Sequence, residues 1–316
     1  MKNFTSLRDI RDLEMLISEA RQLKRGLPSP LPGQGKTLGM LFFNPSLRTR
    51  MSTEKAARML GMDVMVMNAD KDGWKIEFRD GVVMDADGAE HIKEAARVMS
   101  AYCDIIGVRA FPGLIDREAD EAEGILQGFL RHARVPIVNL ESATGHPLQA
   151  LTDALTISEL STRSRPKVVL TWAPHPKALP QAVPNSFVSV MQRMPVDLVI
   201  SNPEGYDLDP GIVRDTPVLH NQQEALQDAD FVYVKNWSSY QDYGKVLSRD
   251  PHWTFSSDKL ALTNNARVMH CLPVRRNVVI SDEVLDSDNA VVIQQAGNRT
   301  YAAMAVMKRL LENQAR

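Results

Sequence analysis

The sequence predicts an α/β protein made of two doubly wound parallel-sheet domains linked by helices. Two observations lead to this fold class: short apolar runs alternate with helical segments along the chain, and a polar break at residues 161–166 divides the runs into two sets. Such alternation is typical of parallel strands joined by crossover helices. The length of 316 residues also fits two domains of about 150 residues each.

Several apolar runs have the length and composition of strands. They lie at residues 37–43, 63–67, 105–108, 136–140, 167–171, 197–200, 231–234, 268–270 and 290–293. Helices are expected between most of them, for example at 48–60, ended by Gly61, and at 89–102, opened by Ala89 with Asp87 as its N-cap.

The strand pattern also predicts the division of the chain. We expect a first domain at residues 1–145 and a second at 146–316, with the helix at 146–160 linking the two sheets. A C-terminal helix at about 299–313 is expected to pack back on the first domain.

Composition excludes several classes of function. A formal net charge of -2 argues against nucleic-acid or anionic-membrane partners, because both usually require a basic excess. The N-terminal segment is amphipathic, and no apolar run reaches the roughly 20 residues that span a bilayer, so a cytoplasmic protein is expected. Cys103 and Cys271 are expected to be reduced thiols, and metal-ligand spacing is absent.

Two nucleotide-binding patterns are absent. The run PGQGKT at residues 32–37 resembles a phosphate loop, but the first glycine of that motif would fall on Pro30, and the run precedes a strand. No GxGxxG follows the first strand, which argues against a nucleotide-binding oxidoreductase.

The turn after the first strand has the features of a phosphate site. Ser46 and Thr49 supply hydroxyl groups, Arg48 and Arg50 supply guanidinium groups, and a helix is expected to begin here. A helix N-terminus adds unpaired N–H groups and the positive end of the helix dipole. The alternative is a capped helix with solvated arginines.

Three more polar segments follow predicted strands, where parallel sheets bind ligands. Arg109 follows the strand at 105–108, ESATGHPLQ occupies residues 141–149, and MHCLPVRR occupies residues 269–276. A lone histidine such as His146 is more often structural than functional. Its position among these segments favours a functional role.

The motifs S-x-R-T-R, H-P-x-Q and H-C-L-P, in this order, resemble those of the aspartate and ornithine transcarbamylases over almost the whole chain. The resemblance implies transfer of a carbamoyl group from carbamoyl phosphate to an amine, in arginine biosynthesis, without a metal or organic cofactor. It also implies a homotrimer with shared active sites.

The resemblance also implies roles for individual residues. His146, Arg109 and Thr49 correspond to catalytic groups. The carbamoyl phosphate-binding positions are Ser46, Leu47, Arg48, Thr49, Trp74, Arg109, His146, Pro147, Leu148, Gln149, Cys271, Leu272 and Arg299. In this interpretation the backbone carbonyls of Cys271 and Leu272 accept hydrogen bonds from the carbamoyl NH2, so the Cys271 thiol is not a nucleophile.

The acceptor side resembles the branch of the family that uses acylated ornithine. The chain lacks the S-M-G loop of ordinary ornithine transcarbamylases, and it carries FFNPS at 42–46, KDGW at 71–74, TWAPHP at 171–176 and LTNN at 262–265. The implied acylornithine-binding residues are Glu141, His175, Lys235, Arg275 and Ala89. Trp74 corresponds to a loop residue that reaches a neighbouring subunit, and a knotted connection is implied near residues 174–184.

The acyl group is the remaining choice. Acetyl-specific members have a glutamate where this chain has Ala89 and a lysine where it has Val279. Small uncharged residues leave room for a succinyl group, and Arg275 could bind its carboxylate. We therefore expect N-succinylornithine as the acceptor. The alternatives are N-acetylornithine and a non-catalytic carbamoyl phosphate-binding homologue.

Overall fold

The computed structural model describes residues 1–69 and 71–314, which form two compact units. The first comprises Met1–Gly113, Glu118–Leu148 and the segment that begins at Arg299. The second comprises Leu114–Arg117 and Gln149–Asn298. Each unit contains its own parallel sheet, which confirms the predicted fold class. Within residues 1–69 and 71–314, we find no helix with the length and apolarity of a membrane span.

Of the strands within residues 1–69 and 71–314, eight occur close to predicted positions, and three strands of two residues each were not predicted. In chain order they are β1 (Thr37–Phe42), β2 (Asp63–Asn68), β3 (Ile76–Glu77), β4 (Glu90–His91), β5 (Ile105–Arg109), β6 (Ile137–Glu141), β7 (Lys167–Trp172), β8 (Asp197–Ser201), β9 (Val218–Leu219), β10 (Phe231–Lys235) and β11 (Arg267–Met269).

Helices separate most of these strands. In chain order they are α1 (Leu13–Arg25), α2 (Arg48–Met59), α3 (Ile92–Tyr102), α4 (Arg117–Glu121), α5 (Gly124–His132), α6 (Pro147–Leu160), α7 (Ala182–Met191), α8 (Pro210–Val213), α9 (Gln222–Leu226), α10 (Ser257–Leu260), α11 (Asp282–Leu285) and α12 (Val292–Gln314). Short 3-10 helices occur at Leu7–Asp9 and Pro251–Trp253.

The sheet of the first unit has the order β2-β1-β5-β6. Its central strands β1 and β5 are almost continuously buried, whereas the edge strand β2 alternates between exposed and half-buried residues. The chain passes from β1 to β2 on one side and then crosses to β5 on the other. The carboxyl ends of β1 and β5 therefore form a topological switch point, the usual place for a ligand in an open parallel sheet.

The sheet of the second unit has the order β11-β10-β7-β8-β9. The chain builds β7, β8 and β9 outward in one direction and then returns to β10 on the opposite side of β7. The second switch point therefore lies at the carboxyl ends of β7 and β10, with the end of β11 beside them. An apolar core that includes Val169, Val232, Val268 and Phe255 supports this edge from below.

The predicted strand at 290–293 is wrong. Val292 begins α12, Ile293 is 75% exposed, and Ala290 forms only an isolated bridge with Val268. A short apolar run cannot be distinguished by periodicity from the first turn of a helix, and here the run is that first turn. The C-terminal helix consequently begins at Val292, well before Arg299.

The predicted start of the helix at Ala89, with Asp87 as its N-cap, is also wrong. Residues Glu90–His91 form β4, which pairs with β3, and α3 begins only at Ile92. His91 is the N-cap, because its Nδ1 atom accepts a hydrogen bond of 3.2 Å from the Lys93 N–H. The high helix propensity of alanine is overridden here by pairing of the backbone with β3.

Candidate active site

The N-terminus of α2 lies at the first switch point and has no side-chain cap. The cap position is Leu47, whose side chain cannot accept a hydrogen bond, and the first turn contains no acidic residue. This arrangement contradicts the alternative of a capped helix. The uncapped N–H groups, with half-buried Ser46 and Arg48 beside them, suit an anion.

Thr49 and Arg299 meet in the first unit, although they are far apart in sequence. Both are at least nine-tenths buried, and Arg299 donates a hydrogen bond of 2.7 Å from Nη2 to the Thr49 Oγ1 atom. Because this oxygen accepts from Arg299, the Thr49 hydroxyl hydrogen is directed elsewhere. The pair thus brings a fixed positive charge to the first turn of α2.

Arg109 lies at the end of β5 and fixes the turn before α2. Its Nη1 atom donates to the backbone oxygens of Asn44 (3.1 Å) and Pro45 (2.6 Å), and its Nη2 atom donates to Glu141 Oε2 (3.1 Å). The guanidinium carbon stands 4.2 Å from the centre of the Phe111 ring. Within residues 1–69 and 71–314, the buried Arg109 Nε atom has no hydrogen-bond partner. Such a donor costs about 1–3 kcal/mol unless a ligand satisfies it.

His146 is buried at the start of α6 and is uncharged. Burial lowers its pKa well below the usual value, and the positive charges of Arg299 and Arg109 lower the same pKa further. Its Nε2 atom lies 3.6 Å from Glu141 Oε2, which is a contact between a neutral ring and a carboxylate. A neutral imidazole can still donate one N–H to an oxygen that becomes negative.

The loop before His146 is held by Glu123. One oxygen of this carboxylate accepts from Ser142 Oγ (2.5 Å), from the Thr144 N–H (2.9 Å) and from Thr144 Oγ1 (2.7 Å). Asn139 adds a hydrogen bond of 2.8 Å from Nδ2 to Ser142 Oγ. The backbone that carries His146 is therefore fixed by a charged acceptor and not only by its own turn.

The second switch point brings three predicted residues to one edge of the second sheet. Lys235 ends β10 and pairs in register with Trp172, the last residue of β7, and His175 follows three residues later. Lys235 is buried, and its backbone oxygen accepts from the Ala173 N–H at 3.2 Å. Arg275 reaches the same place from the loop after β11, where its Nε atom donates to His175 Nε2 at 3.0 Å.

The hydrogen bonds of His175 define its tautomer. Because Nε2 accepts from Arg275, the proton lies on Nδ1, which is 2.8 Å from the Lys177 backbone oxygen and 3.1 Å from the Lys177 nitrogen. Burial lowers the pKa of His175 most, the Lys177 hydrogen bond opposes this shift, and the nearby charges of Lys235 and Arg275 lower the pKa further. This part of the second unit is thus cationic and suited to carboxylates.

The predicted ligands of the carbamoyl amide also lie in the second unit. Gln149 is buried on α6, and its Nε2 atom donates to Asp153 Oδ1 at 2.7 Å. Leu272 has a left-handed backbone (φ 58°), and its N–H donates to His270 Nδ1 at 2.7 Å. Cys271 is a half-buried free thiol.

Other predicted positions lie on a helix start or in an exposed loop. Pro147 and Leu148 form the first turn of α6, and the Leu148 side chain belongs to the apolar core, so only its backbone can meet a ligand. Trp74 is 63% exposed, and its Nε1 atom donates to Glu90 Oε2 at 2.6 Å. Exposed Ala89 is part of the same loop, where its N–H donates to the Lys75 backbone oxygen at 3.0 Å.

The structure also corrects one interpretation and adds one residue. Val279 is 2% exposed and lies in the apolar core of the second unit, so it forms no open wall for an acyl group. Sequence analysis missed Asn44, whose Oδ1 atom accepts from the Phe111 N–H at 2.6 Å and so joins the loops after β1 and β5. Its position before Pro45, directly after a buried strand, was the available signal.

No group of three or more His, Cys, Asp or Glu side chains that could hold a metal ion occurs in the part of the chain that the structure describes. The first unit brings together arginines, a helix N-terminus and His146, and the second brings together Lys235, Arg275 and His175. These groups can bind a phosphate dianion and a carboxylate, and they can stabilise an oxyanion.

Two family models match the chain. Residues 2–159 match the carbamoyl-P binding domain of aspartate/ornithine carbamoyltransferases, and residues 180–310 match the Asp/Orn binding domain of the same family. An N-succinylornithine carbamoyltransferase of Bacteroides fragilis is 49% identical over 316 residues, which cover 99% of each chain. An N-acetylornithine carbamoyltransferase of Xanthomonas campestris is 38% identical over 98% of each chain.

Solved structures give the same result. One is an N-acetyl-L-ornithine transcarbamylase in which alanine replaces one glutamate, in complex with carbamyl phosphate and N-succinyl-L-norvaline. It is 39% identical and has a TM-score of 0.91, and the match covers 98% of this chain and 100% of that chain. An acetylornithine transcarbamylase with acetylcitrulline is 38% identical with a TM-score of 0.91 over 98% of this chain and 99% of that chain. The protein therefore belongs to the aspartate/ornithine carbamoyltransferase family.

Proposed function

We propose that the protein transfers the carbamoyl group of carbamoyl phosphate to the δ-amine of N-succinyl-L-ornithine, giving N-succinyl-L-citrulline and phosphate. The observation that carries the choice of acyl group is Ala89, a small, uncharged and exposed residue in the loop of Trp74. The family resemblance implies that acetyl-specific relatives have a glutamate at this position. A carboxylate at this position would repel a succinyl group but not an acetyl group.

Two comparisons support this choice. Relatives at 49% identity are N-succinylornithine carbamoyltransferases, whereas those that act on N-acetylornithine reach 38–39%. In addition, N-acetyl-L-ornithine transcarbamylases with one glutamate changed to alanine, valine, proline or serine have been solved with N-succinyl-L-norvaline.

The proposed mechanism begins with the phosphate. The uncapped N–H groups of α2, together with Arg48, Arg299 and the unpaired Nε donor of Arg109, would neutralise the dianion. Thr49, Arg109 and neutral His146 would donate to the carbamoyl oxygen as the δ-amine attacks the carbonyl carbon and negative charge develops. Phosphate then leaves as the C–O bond breaks, and it takes the amine proton.

In the second unit, Lys235 and Arg275 beside neutral His175 would bind the carboxylates of the acceptor. Glu141 lies in the first unit with Arg109 and His146, where it would orient the attacking amine. Gln149 and the backbone carbonyls of Cys271 and Leu272 would accept from the carbamoyl NH2. These roles extend the domain descriptions of the family to individual side chains.

The acceptor test compares initial rates with N-succinylornithine, N-acetylornithine and ornithine at saturating carbamoyl phosphate. We expect N-succinylornithine to be the best substrate, and Ala89→Glu to lower its turnover sharply while N-acetylornithine is affected less. Ala86→Glu is the matched control, since it adds the same charge to an exposed alanine of the same loop. A wild-type preference for N-acetylornithine would refute the succinyl assignment, and no turnover with any acceptor would favour the non-catalytic homologue.

We also propose a homotrimer with shared active sites that acts in arginine biosynthesis in the cytoplasm. The first unit exposes the large apolar side chains of Met51, Met65 and Met67 on α2 and β2, as expected of a subunit interface. Light scattering of the purified protein tests this: a monomer at assay concentrations would refute the trimer.

A further inference from the structure

A fully buried carboxylate, Asp153, lies one helical turn after Gln149 on α6. Its Oδ1 atom accepts the hydrogen bond from Gln149 Nε2 at 2.7 Å. Side chains four residues apart on a helix are neighbours, so the helix itself sets this contact. Asp153 is not among the residues that the motifs of the sequence assign to any substrate.

The same oxygen holds a second amide. Gln295, which is buried on α12, donates from Nε2 to Asp153 Oδ1 at 2.7 Å. The other end of this amide, Oε1, accepts the His270 N–H at 3.0 Å. Asp153 is therefore connected through one side chain to the first residue after β11.

This connection reaches the loop that carries the proposed carbonyl acceptors. The His270 Nδ1 atom accepts from the Leu272 N–H at 2.7 Å, and Leu272 has a left-handed backbone that L-residues rarely adopt. Fixing His270 at its N–H and at its ring thus fixes the direction of the carbonyl groups that follow it.

The chemistry of a carboxylate determines the orientation of both amides. Both glutamines present their NH2 group to Asp153 Oδ1, and the Gln295 oxygen accepts from the His270 N–H, which fixes the orientation of that amide at its other end. Gln149 must then direct its carbonyl oxygen away from Asp153, and Gln295 must direct its own toward His270. Asp153 Oδ1 therefore orients two series of hydrogen-bonded groups. One ends at the Gln149 oxygen, and the other ends at the Cys271 and Leu272 carbonyls.

We propose that Asp153 is a positioning residue that makes the site selective for the NH2 group of the carbamoyl substrate. It does so by presenting the Gln149 oxygen and the Cys271 and Leu272 carbonyls as acceptors toward that group. The inference rests on the proposed function, because it assigns the carbamoyl NH2 to these acceptors. It goes further by naming the group that orients them.

The test compares carbamoyl phosphate with acetyl phosphate, in which a methyl group replaces the NH2. Asp153→Asn introduces a side chain that can donate as well as accept, so one glutamine can reverse its amide without a change in volume. We expect calorimetric titration to show an affinity for carbamoyl phosphate about 10- to 100-fold weaker in this variant. Affinity for acetyl phosphate should stay within about twofold of wild type, since a methyl group has no hydrogen bond to lose.

A matched control uses the neighbouring contact between the same two helices. Glu159 on α6 accepts from Asn298 Nδ2 on α12 at 2.9 Å, and neither residue belongs to the series of hydrogen bonds from Gln149 to Leu272 described above. Glu159→Gln should therefore bind both acyl phosphates as wild type does. Equal loss of both ligands in Asp153→Asn, or no loss of either, would overturn the proposal.

Gln295→Met provides a second variant if Asp153→Asn does not fold. It removes the hydrogen bonds that link Asp153 to His270 through Gln295, while keeping a buried side chain of similar length. Selective weakening of carbamoyl phosphate is again expected, and unchanged affinity for both ligands would again overturn the proposal. Failure of the wild-type protein to bind carbamoyl phosphate would instead refute the proposed function, so the two failures are distinguishable.

Discussion

The candidate site residues of the first unit differ from those of the second in how firmly their side chains are held. In the first unit, Thr49, Arg109, His146 and Arg299 are each at most 7% exposed, and a protein group contacts each one. In the second unit, Lys235 and Gln149 are also buried, but Arg275 is exposed and His175 is only half-buried. In the proposed function, the buried residues of the first unit meet a small anion of constant shape, and the exposed residues of the second meet an acceptor whose acyl group varies among relatives.

This difference has a physical consequence for catalysis. Preorganised donors in a buried site lower a barrier because they need not reorient as charge develops. Exposed ion pairs contribute little, because water and side-chain entropy offset most of their attraction. Substitutions should therefore be far more damaging in the first unit than at the exposed rim of the second.

The largest effect is expected from Arg48→Ala. Loss of a guanidinium at the uncapped N-terminus of α2 removes a charge-assisted contact with the dianion, so carbamoyl phosphate binding should be nearly abolished. Calorimetric titration measures this directly. Arg58→Ala is the matched control, because Arg58 lies on the same helix and pairs at the surface with Glu54 at 3.0 Å.

The control should retain wild-type affinity, and both variants should remain folded, since alanine favours helices. Unchanged affinity in a folded Arg48→Ala protein would remove the phosphate assignment. The expectation that substitutions are more damaging in the first unit than in the second would then lose its main support.

The second largest effect is expected from His146→Ala. A neutral donor that acts mainly in the transition state should affect kcat more than ligand affinity, by about 10²- to 10³-fold, or ~2.7–4 kcal/mol. Steady-state kinetics together with titration of carbamoyl phosphate separates the two quantities. His146→Gln retains an N–H donor and should recover part of the rate. A normal kcat in His146→Ala would make the histidine structural.

The smallest effect is expected from Arg275→Gln. Arg275 is exposed, so the KM for N-succinylornithine should rise only about two- to fivefold, with kcat near the wild-type value. Arg276→Gln is the control, because Arg276 pairs with Asp282 and Asp286 at 2.8 Å and 2.7 Å. If Arg275→Gln lowered kcat/KM as much as His146→Ala does, the exposed residues of the second unit would be as preorganised as the buried residues of the first.

Sequence patterns predicted the fold well where burial is continuous. Strands such as β1, β7 and β10 lie within one residue of the predicted runs, because buried parallel strands have almost uninterrupted apolar sequences. The errors occurred where a short segment can form either a strand or the start of a helix. The run at 290–293 became the first turn of α12, and the segment after Asp87 paired with β3 before α3 began.

The candidate site was predictable to a similar degree. Motifs located Thr49 and His146, since they occur directly beside strand ends, and Arg299 followed from the family resemblance. The contacts that position them were not predictable, because they join residues distant in sequence, as Arg109 does with Asn44 and as Asp153 does with Gln295. No periodicity or local motif encodes such a pair. The assignments to individual substrate groups, and the knotted connection near residues 174–184, stay predictions.

The discontinuous first unit has a consequence for the order in which the protein matures during synthesis. Its small internal cavity is lined by Leu38 and Val138 from one part of the chain and by Ala303 and Val306 from α12. Glu19 likewise receives hydrogen bonds from Lys308, at 2.6 Å, and from Arg309. A nascent chain that has reached only α6 lacks the α12 residues that contact these apolar side chains and this carboxylate. The unit that is translated first is therefore completed last, when the ribosome has released α12.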